Sequence, residues 1–365
     1  MFFTGLRLAG AAGETLPKTP HERRFGKEAV LLGLILTVIN IVPVVLANRD
    51  VRLTDTLDRY TLPASIGVVM VVVGLMFWIA RGTFRTTAIA ALIVISIFTH
   101  YNSTAFFRNF WNYQKQLWWQ LSWRAPDIKT DTVIIAALPP PFMLAESYEV
   151  WGPANIIYGT PEQPLRVVGE AINIESMHSV LTQDSFTRSM RRVSFTLDFK
   201  NSLVVSIPNA GSCLRVMDRN WLEFAENESL LVRQVAPYSS NSLIMTEGTP
   251  KTVPAGIFGP EPPRTWCYYY QKADLARQKK DWAEVVRLGD EARARGLKPR
   301  DTMEWMPFYQ GYAYSRRMDE ANELAGEIRG ERIALKEFCT QFGPERRAQL
   351  RQGSIDEFIV INLCP

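Results

Sequence analysis

The sequence predicts a membrane α-helical protein with three spans, joined to a soluble α+β region in which a small mixed β domain precedes a tetratricopeptide-like stack of α-hairpins. Apolar runs long enough to cross a bilayer are confined to the first hundred residues. Short apolar runs separated by turn residues follow, from about residue 127 to 263. Beyond 264 the chain is charged, helix-periodic and internally repeated. The predicted divisions are a cytoplasmic tail (1–27), a three-span domain (28–101), an aromatic interfacial helix (102–126), a β-rich domain (127–263), a helical domain (264–345) and a tail containing a strand-like run (346–365).

Residues 29–47 (AVLLGLILTVINIVPVVLA) and 62–80 (LPASIGVVMVVVGLMFWIA) are each nineteen residues without a charge. At about 1.5 Å per residue either nearly crosses a hydrocarbon core of ~30 Å. Residues 86–99 (TTAIAALIVISIFT) form a shorter third run. In lipid each backbone amide needs an internal partner, so all three must be helices, and their Gly and Ser positions suggest close helix contacts. Val45 and Ala47 also fit a signal-cleavage rule, but the charged tail and the length of the core favour a retained span. Asn40 and Pro43 interrupt the first run, and a bond from Asn40 across to a neighbouring helix accounts for them better than transport does.

Arg7, Lys18, Arg23, Arg24 and Lys27 precede the first span, and Arg81 and Arg85 follow the second. In the intervening loop, Arg49, Arg52 and Arg59 are offset by Asp50, Asp55 and Asp58. The basic excess places the amino terminus in the cytoplasm and, after three crossings, the soluble region outside the inner membrane. Residues 104–124 gather eight aromatic side chains, Trp111, Trp118, Trp119 and Trp123 among them, as expected of a helix lying against headgroups.

The runs TVIIAAL, NIIYG, RVVGEAINI, RRVSFTLDF, SLVVSI and CLRVMD read as strands with their loops, and Phe195, Leu197 and Phe199 alternate with Thr196 and Asp198. The proline tract 248–263 reads as a linker. Helices are expected at 265–279, 281–295, 301–316, 319–329 and 333–341, with Asp281 and Asp319 as caps. Setting WAEVVRLGDEA beside MDEANELAGEI places Val285 opposite Ala321 and Ala276 opposite Tyr312, a period of 36. That is close to the roughly 34 of tetratricopeptide hairpins. Small residues at 273, 276, 292 and 321 would let the helices approach, with Trp282 and Tyr312 filling the groove.

A net charge of +4, with basic residues scattered among acidic ones, argues against nucleic acid as a partner. Four cysteines without CxxC and three dispersed histidines predict no metal and no cofactor, and leave one or two disulfides open in an oxidising compartment. No hydrolase, Walker, metalloprotease or dinucleotide motif occurs. The candidate catalytic residues are Asp50, Asp55 and Asp58, since carboxylates at an external membrane face can serve as base or metal ligand in sugar transfer; a solvated loop is the simpler reading. Ser212 and Cys213 follow a turn without a partner histidine and read as structural. The candidate binding residues are the aromatics Trp266, Tyr269, Tyr270, Trp282 and Tyr312, which could stack on glycan or peptide and otherwise pack the helices.

The segments DRYTLPASIG (58–67), QLWWQLSWRAP (116–126) and TWCYYYQKADLARQKKDWAEV (265–285) resemble a group of bacterial polytopic envelope proteins ending in an external domain with tetratricopeptide-like helices. Some of that group resemble multi-span glycosyltransferases that use a polyprenyl-phosphate sugar. Such transferases have ten or more spans and an acidic motif in the first external loop, whereas this sequence has three spans, so no active-site residue carries over. The resemblance implies an envelope protein that presents its helical module to a protein or glycan partner. The alternative it leaves is the carboxyl-terminal part of, or an accessory subunit to, a glycosyltransferase.

Overall fold

The computed structural model describes residues 20–48, 60–190 and 193–364, and the chain divides into two compact units, residues 1–107 and 108–365. Asp50, Asp55 and Asp58 lie outside the described residues.

The first unit contains α1 (Pro20–Leu46), α2 (Leu62–Ile79) and the beginning of α3 (Gly82–Arg124), all three long and apolar enough to cross a membrane. Gly26 and Gly33 on α1, and Gly67 and Gly74 on α2, are each spaced by two helical turns and so share a face. A methyl group at Gly33 would stand 2.7 Å from the Gly67 carbonyl oxygen, and one at Gly67 would stand 2.6 Å from that of Gly33. Only hydrogen fits, and the backbones meet there. Leu31, Val38, Val69, Ile95 and Phe98 are exposed, the surface a helix offers to hydrocarbon. Asn40 corrects one expectation: its Nδ2 donates to Leu36 O at 2.8 Å, within its own helix.

A second correction concerns α3, which runs unbroken from Gly82 to Arg124, so the aromatic segment is the continuation of the third span. Phe106, Phe107 and Trp111 are exposed, but Leu117, Trp118, Trp119, Leu121 and Trp123 are buried in the second unit. The lower half of the predicted headgroup helix is therefore protein core.

After β1 (Asp127–Ile128), β2 (Val133–Ala137) leads through α4 (Tyr148–Tyr158) to β3 (Val168–Ala171). The NIIYG run, expected as a strand, lies in α4: Val150, Ala154, Ile157 and Tyr158 are buried at helical spacing, and the paired isoleucines imitate a strand. Asn155 fastens this helix to β3, its Oδ1 accepting from the amides of Arg166 and Val167 at 2.7 and 2.9 Å. The chain continues through α5 (Ile174–Thr182), the hairpin β4 (Ser185–Met190) and β5 (Val193–Asp198), β6 (Ser202–Ser206), β7 (Arg215–Val216), α6 (Leu230–Val235) and β8 (Ile244–Met245). The main sheet has the order β3-β2-β6-β7, with β2 parallel to both neighbours and β7 antiparallel, while β8 pairs with β1. Ile134 and Ala136 pack with the end of α3 and with α4, whereas Val133 and Ile135 pack toward Val180 of α5 and Val232 of α6. With both faces covered, β2 is a continuous apolar run. The predicted β domain is thus a small sheet between helices. Phe195 and Leu197 are buried and Thr196 exposed, as their alternation implies.

The proline tract is anchored and not free: it carries α7 (Ala255–Phe258), whose buried Phe258 stacks on Trp111 with ring centroids 6.0 Å apart. Helical pairs follow, α8 (Trp266–Gln278) with α9 (Trp282–Ala294) and α10 (Met306–Tyr314) with α11 (Met318–Ile328), then α12 (Arg332–Thr340), α13 (Pro344–Ala348) and α14 (Ile355–Leu363). Val285, Ala321, Ala276 and Tyr312 are all buried, and Gly311 is covered by Val285 so closely that a methyl group there would stand 2.4 Å from its Cγ1. Asp281 caps α9 through the Glu284 amide, but Asp319 sits inside the first turn of α11, where Arg317 holds the cap position. The tail expected to hold a strand is the helix α14: Ser354 caps it, and Ile359, Val360 and Leu363 are buried. Disulfides join Cys213 to Cys267 and Cys339 to Cys364.

Candidate functional site

A cleft of 320 Å³ opens in the second unit where the end of α3, the segment after β7 and the helical pairs converge. Its floor is a chain of buried charges. Arg124 pairs with Asp274, and Arg277 bridges Asp274 to Glu223, its Nη1 donating to Glu223 Oε1 at 2.5 Å. Arg124 and Asp274 expose only 1% and 4% of their side chains, so each ion needs its partner. Burial opposes ionisation of Asp274, but the two guanidinium groups outweigh it and hold the carboxyl below its ordinary value. At Glu223 burial prevails over Arg277 and pushes the carboxyl up. Arg124 Nη1 also donates to Gln278 Oε1 at 2.8 Å, and Gln278 Nε2 donates to the Asn241 carbonyl at 2.7 Å, so one network ties α3, α8 and the segment before β8.

The walls are aromatic and polar. Trp282 and Tyr314 stack with ring centroids 4.1 Å apart and planes 2° from parallel. The Tyr314 hydroxyl donates to Asp356 Oδ1 at 2.5 Å, which holds the ring; burial and that carboxylate together raise the hydroxyl's pKa. Trp221 sets its ring edge-on against Phe338 and Phe342. Four buried polar atoms of cleft residues have no hydrogen-bond partner within the protein: Arg124 Nη2, Trp221 Nε1, Asn241 Oδ1 and Asp274 Oδ1, the last held by its ion pair with Arg277. Such a group costs about 1–3 kcal/mol while unsatisfied, so these atoms are a local cost of the cleft's construction.

No known protein family, curated protein or solved structure matches this chain.

Of the aromatic residues the sequence singled out, Trp282 alone reaches the cleft. Trp266, Tyr269, Tyr270 and Tyr312 are buried in the helical core. Trp266 Nε1 donates to Glu304 at 2.6 Å, the Tyr269 hydroxyl to Glu291 at 2.7 Å, and the Tyr312 hydroxyl to Asp290 at 2.8 Å. Sequence reasoning missed Arg124, Trp221, Asn241, Tyr314 and Asp356, which come from positions spread over more than half the chain and share no motif. Ser212 and Cys213 lie in a turn shaped by Asn209, whose Oδ1 accepts from the amides of Gly211 and Ser212 at 2.8 and 3.1 Å. With Cys213 bonded to Cys267, its sulfur is no nucleophile. Glu304 accepts from the Cys213 amide at 2.7 Å, and burial pushes its carboxyl up to about 7. Among the described residues no group of His, Cys, Asp and Glu is arranged to hold a metal ion.

Proposed function

We propose that the chain is a membrane-anchored binding protein of the bacterial cell envelope, whose external domain holds a protein or glycan partner outside the cytoplasmic membrane. Arg23, Arg24 and Lys27 at the start of α1, with Arg81 between α2 and α3 and Arg85 near the start of α3, support an amino terminus inside. Two disulfides among four cysteines support an oxidising compartment for residues 108–365. The tetratricopeptide-like reading of the paired helices α8–α9 and α10–α11 rests on their period of 36 and the small residues between them, and hairpins of this kind commonly build binding surfaces.

The observation that carries the reading is the cleft. It offers stacked rings and the side-chain amides of Asn241 and Gln310 beside paired charges. Binding of a solubilised envelope fraction to the full chain, held in a detergent without a sugar headgroup, is expected to fall with Trp282→Ala. It is expected to be unchanged when Asp50, Asp55 and Asp58 are all changed to Asn. Sugar transfer from a polyprenyl-phosphate donor by the full chain, abolished in the triple Asn variant, would overturn this reading in favour of a transferase.

A further inference from the structure

We infer that the cleft takes an uncharged saccharide; this rests on the binding reading just given and names the class of ligand. The first argument is charge. Arg124, Arg277 and Lys280 line the cleft with Asp218, Asp274 and Asp356, three cations against three anions. Arg124 and Arg277 are already engaged by Asp274 and Glu223, so neither is free to meet a phosphate or carboxylate. The ionic groups outside that paired floor are Lys280, Asp218 and Asp356, which favour no anion. A strongly cationic ligand would in turn meet the guanidinium groups beneath it.

The second argument is the pairing of flat aromatic surface with scattered donors and acceptors. A pyranose presents an apolar face of C–H groups and a rim of hydroxyls that both donate and accept. The Trp282–Tyr314 stack supplies the surface for the face. The lining residues Asn241 and Gln310 carry side-chain amides, which both donate and accept. A sugar hydroxyl donates and accepts from a single atom and so suits either kind. At 320 Å³ the cleft is at the small end of ligand sites, which suits a short oligosaccharide or the end of a longer chain. An extended peptide would bring its own charges and a row of amides to a site that offers no strand edge among its lining residues.

The test titrates the full chain, in nanodiscs or a polyoxyethylene detergent, with short neutral oligosaccharides of the gluco, manno, galacto and N-acetylglucosamine series. A hexuronate oligosaccharide and an unstructured polar peptide serve as comparisons, and binding is read by calorimetry. At least one neutral series is expected to bind, the hexuronate series at least about tenfold more weakly. Trp282→Ala is expected to abolish saturable binding, while Trp282→Phe, which keeps a stacking ring and guards against misfolding, retains it within about tenfold. Peptide binding that is lost in Trp282→Ala, without any oligosaccharide binding, would overturn the saccharide assignment and leave the cleft as the binding site. Oligosaccharide binding indifferent to both Trp282 variants, or binding of no probe at all, would overturn the cleft itself.

Discussion

Between α1 and α2 the closest approaches are backbone on backbone, at Gly26, Gly33, Gly67 and Gly74, and the large apolar side chains point away. In residues 108–365 large side chains fill the interior, arginines among them: Arg124 and Arg215 are fully buried, each against an aspartate. The contrast follows from the two solvents. Lipid gives no reward for hiding leucine, so helices associate where small residues allow dispersion contacts along the backbone. Water does reward it, and a charge carried inside with the apolar surface must arrive with its partner.

The comparison is broken most severely at Arg215. Its Nη2 donates to Asp301 Oδ2 at 2.5 Å, with both side chains buried. Arg215→Met strands a buried carboxylate and is expected to destabilise residues 108–365 by about 3–5 kcal/mol, read as a fall in the thermal midpoint of tryptophan fluorescence. Adding Asp301→Leu is expected to recover most of that loss, because the pair and not the arginine is what the interior requires.

Glu304 gives the next effect, through pH. Burial raises its folded pKa from an ordinary 4.5 to about 7, with Arg215 opposing and Asp301 adding to the rise. The folded chain therefore holds this proton more tightly than the unfolded one. The stability it contributes is complete below about pH 4.5 and is lost as pH rises through about 7, a loss on the order of 3 kcal/mol. Glu304→Gln cannot ionise and is expected to remove this decline, so the difference in stability between the variant and the parent grows from pH 5 to pH 8. A difference independent of pH would contradict the assignment.

In the membrane unit Gly33→Leu forces a side chain against the Gly67 carbonyl and is expected to weaken the α1–α2 contact by about 1–3 kcal/mol, seen as reduced cross-linking between the two helices. Gly326 in α11 is exposed and a methyl group there would meet nothing within 4 Å. Gly326→Ala is expected to stabilise the chain by about 0.5–1 kcal/mol, the helix-propensity difference alone.

Long-range assembly was the part hidden from the sequence. Spans, strands such as β2 and β6, and the helices α8 and α9 could be read because each shows its own apolar period. The helix α4 was hidden because Ile156 and Ile157 adjoin a Gly-Pro pair and imitate a strand, and α14 because Ile359, Val360 and Ile361 do the same. The continuation of α3 was hidden because an aromatic-rich helix has the same composition whether it faces headgroups or a core; Trp118 at 1% exposure decides it. The cleft was legible only in Trp282. Its other walls come from residues 124 to 356 and meet through tertiary contacts that no local pattern encodes.

The claim on which the account rests is that the three apolar helices leave residues 108–365 outside the cytoplasmic membrane. A single cysteine introduced by Gly326→Cys, exposed while the four native cysteines are bonded in pairs, reports it through a membrane-impermeant maleimide applied to cells freed of any outer barrier. Labelling of intact cells, equal to that after permeabilisation, is the expected result. Labelling that appears only once the cytoplasmic membrane is opened would contradict it.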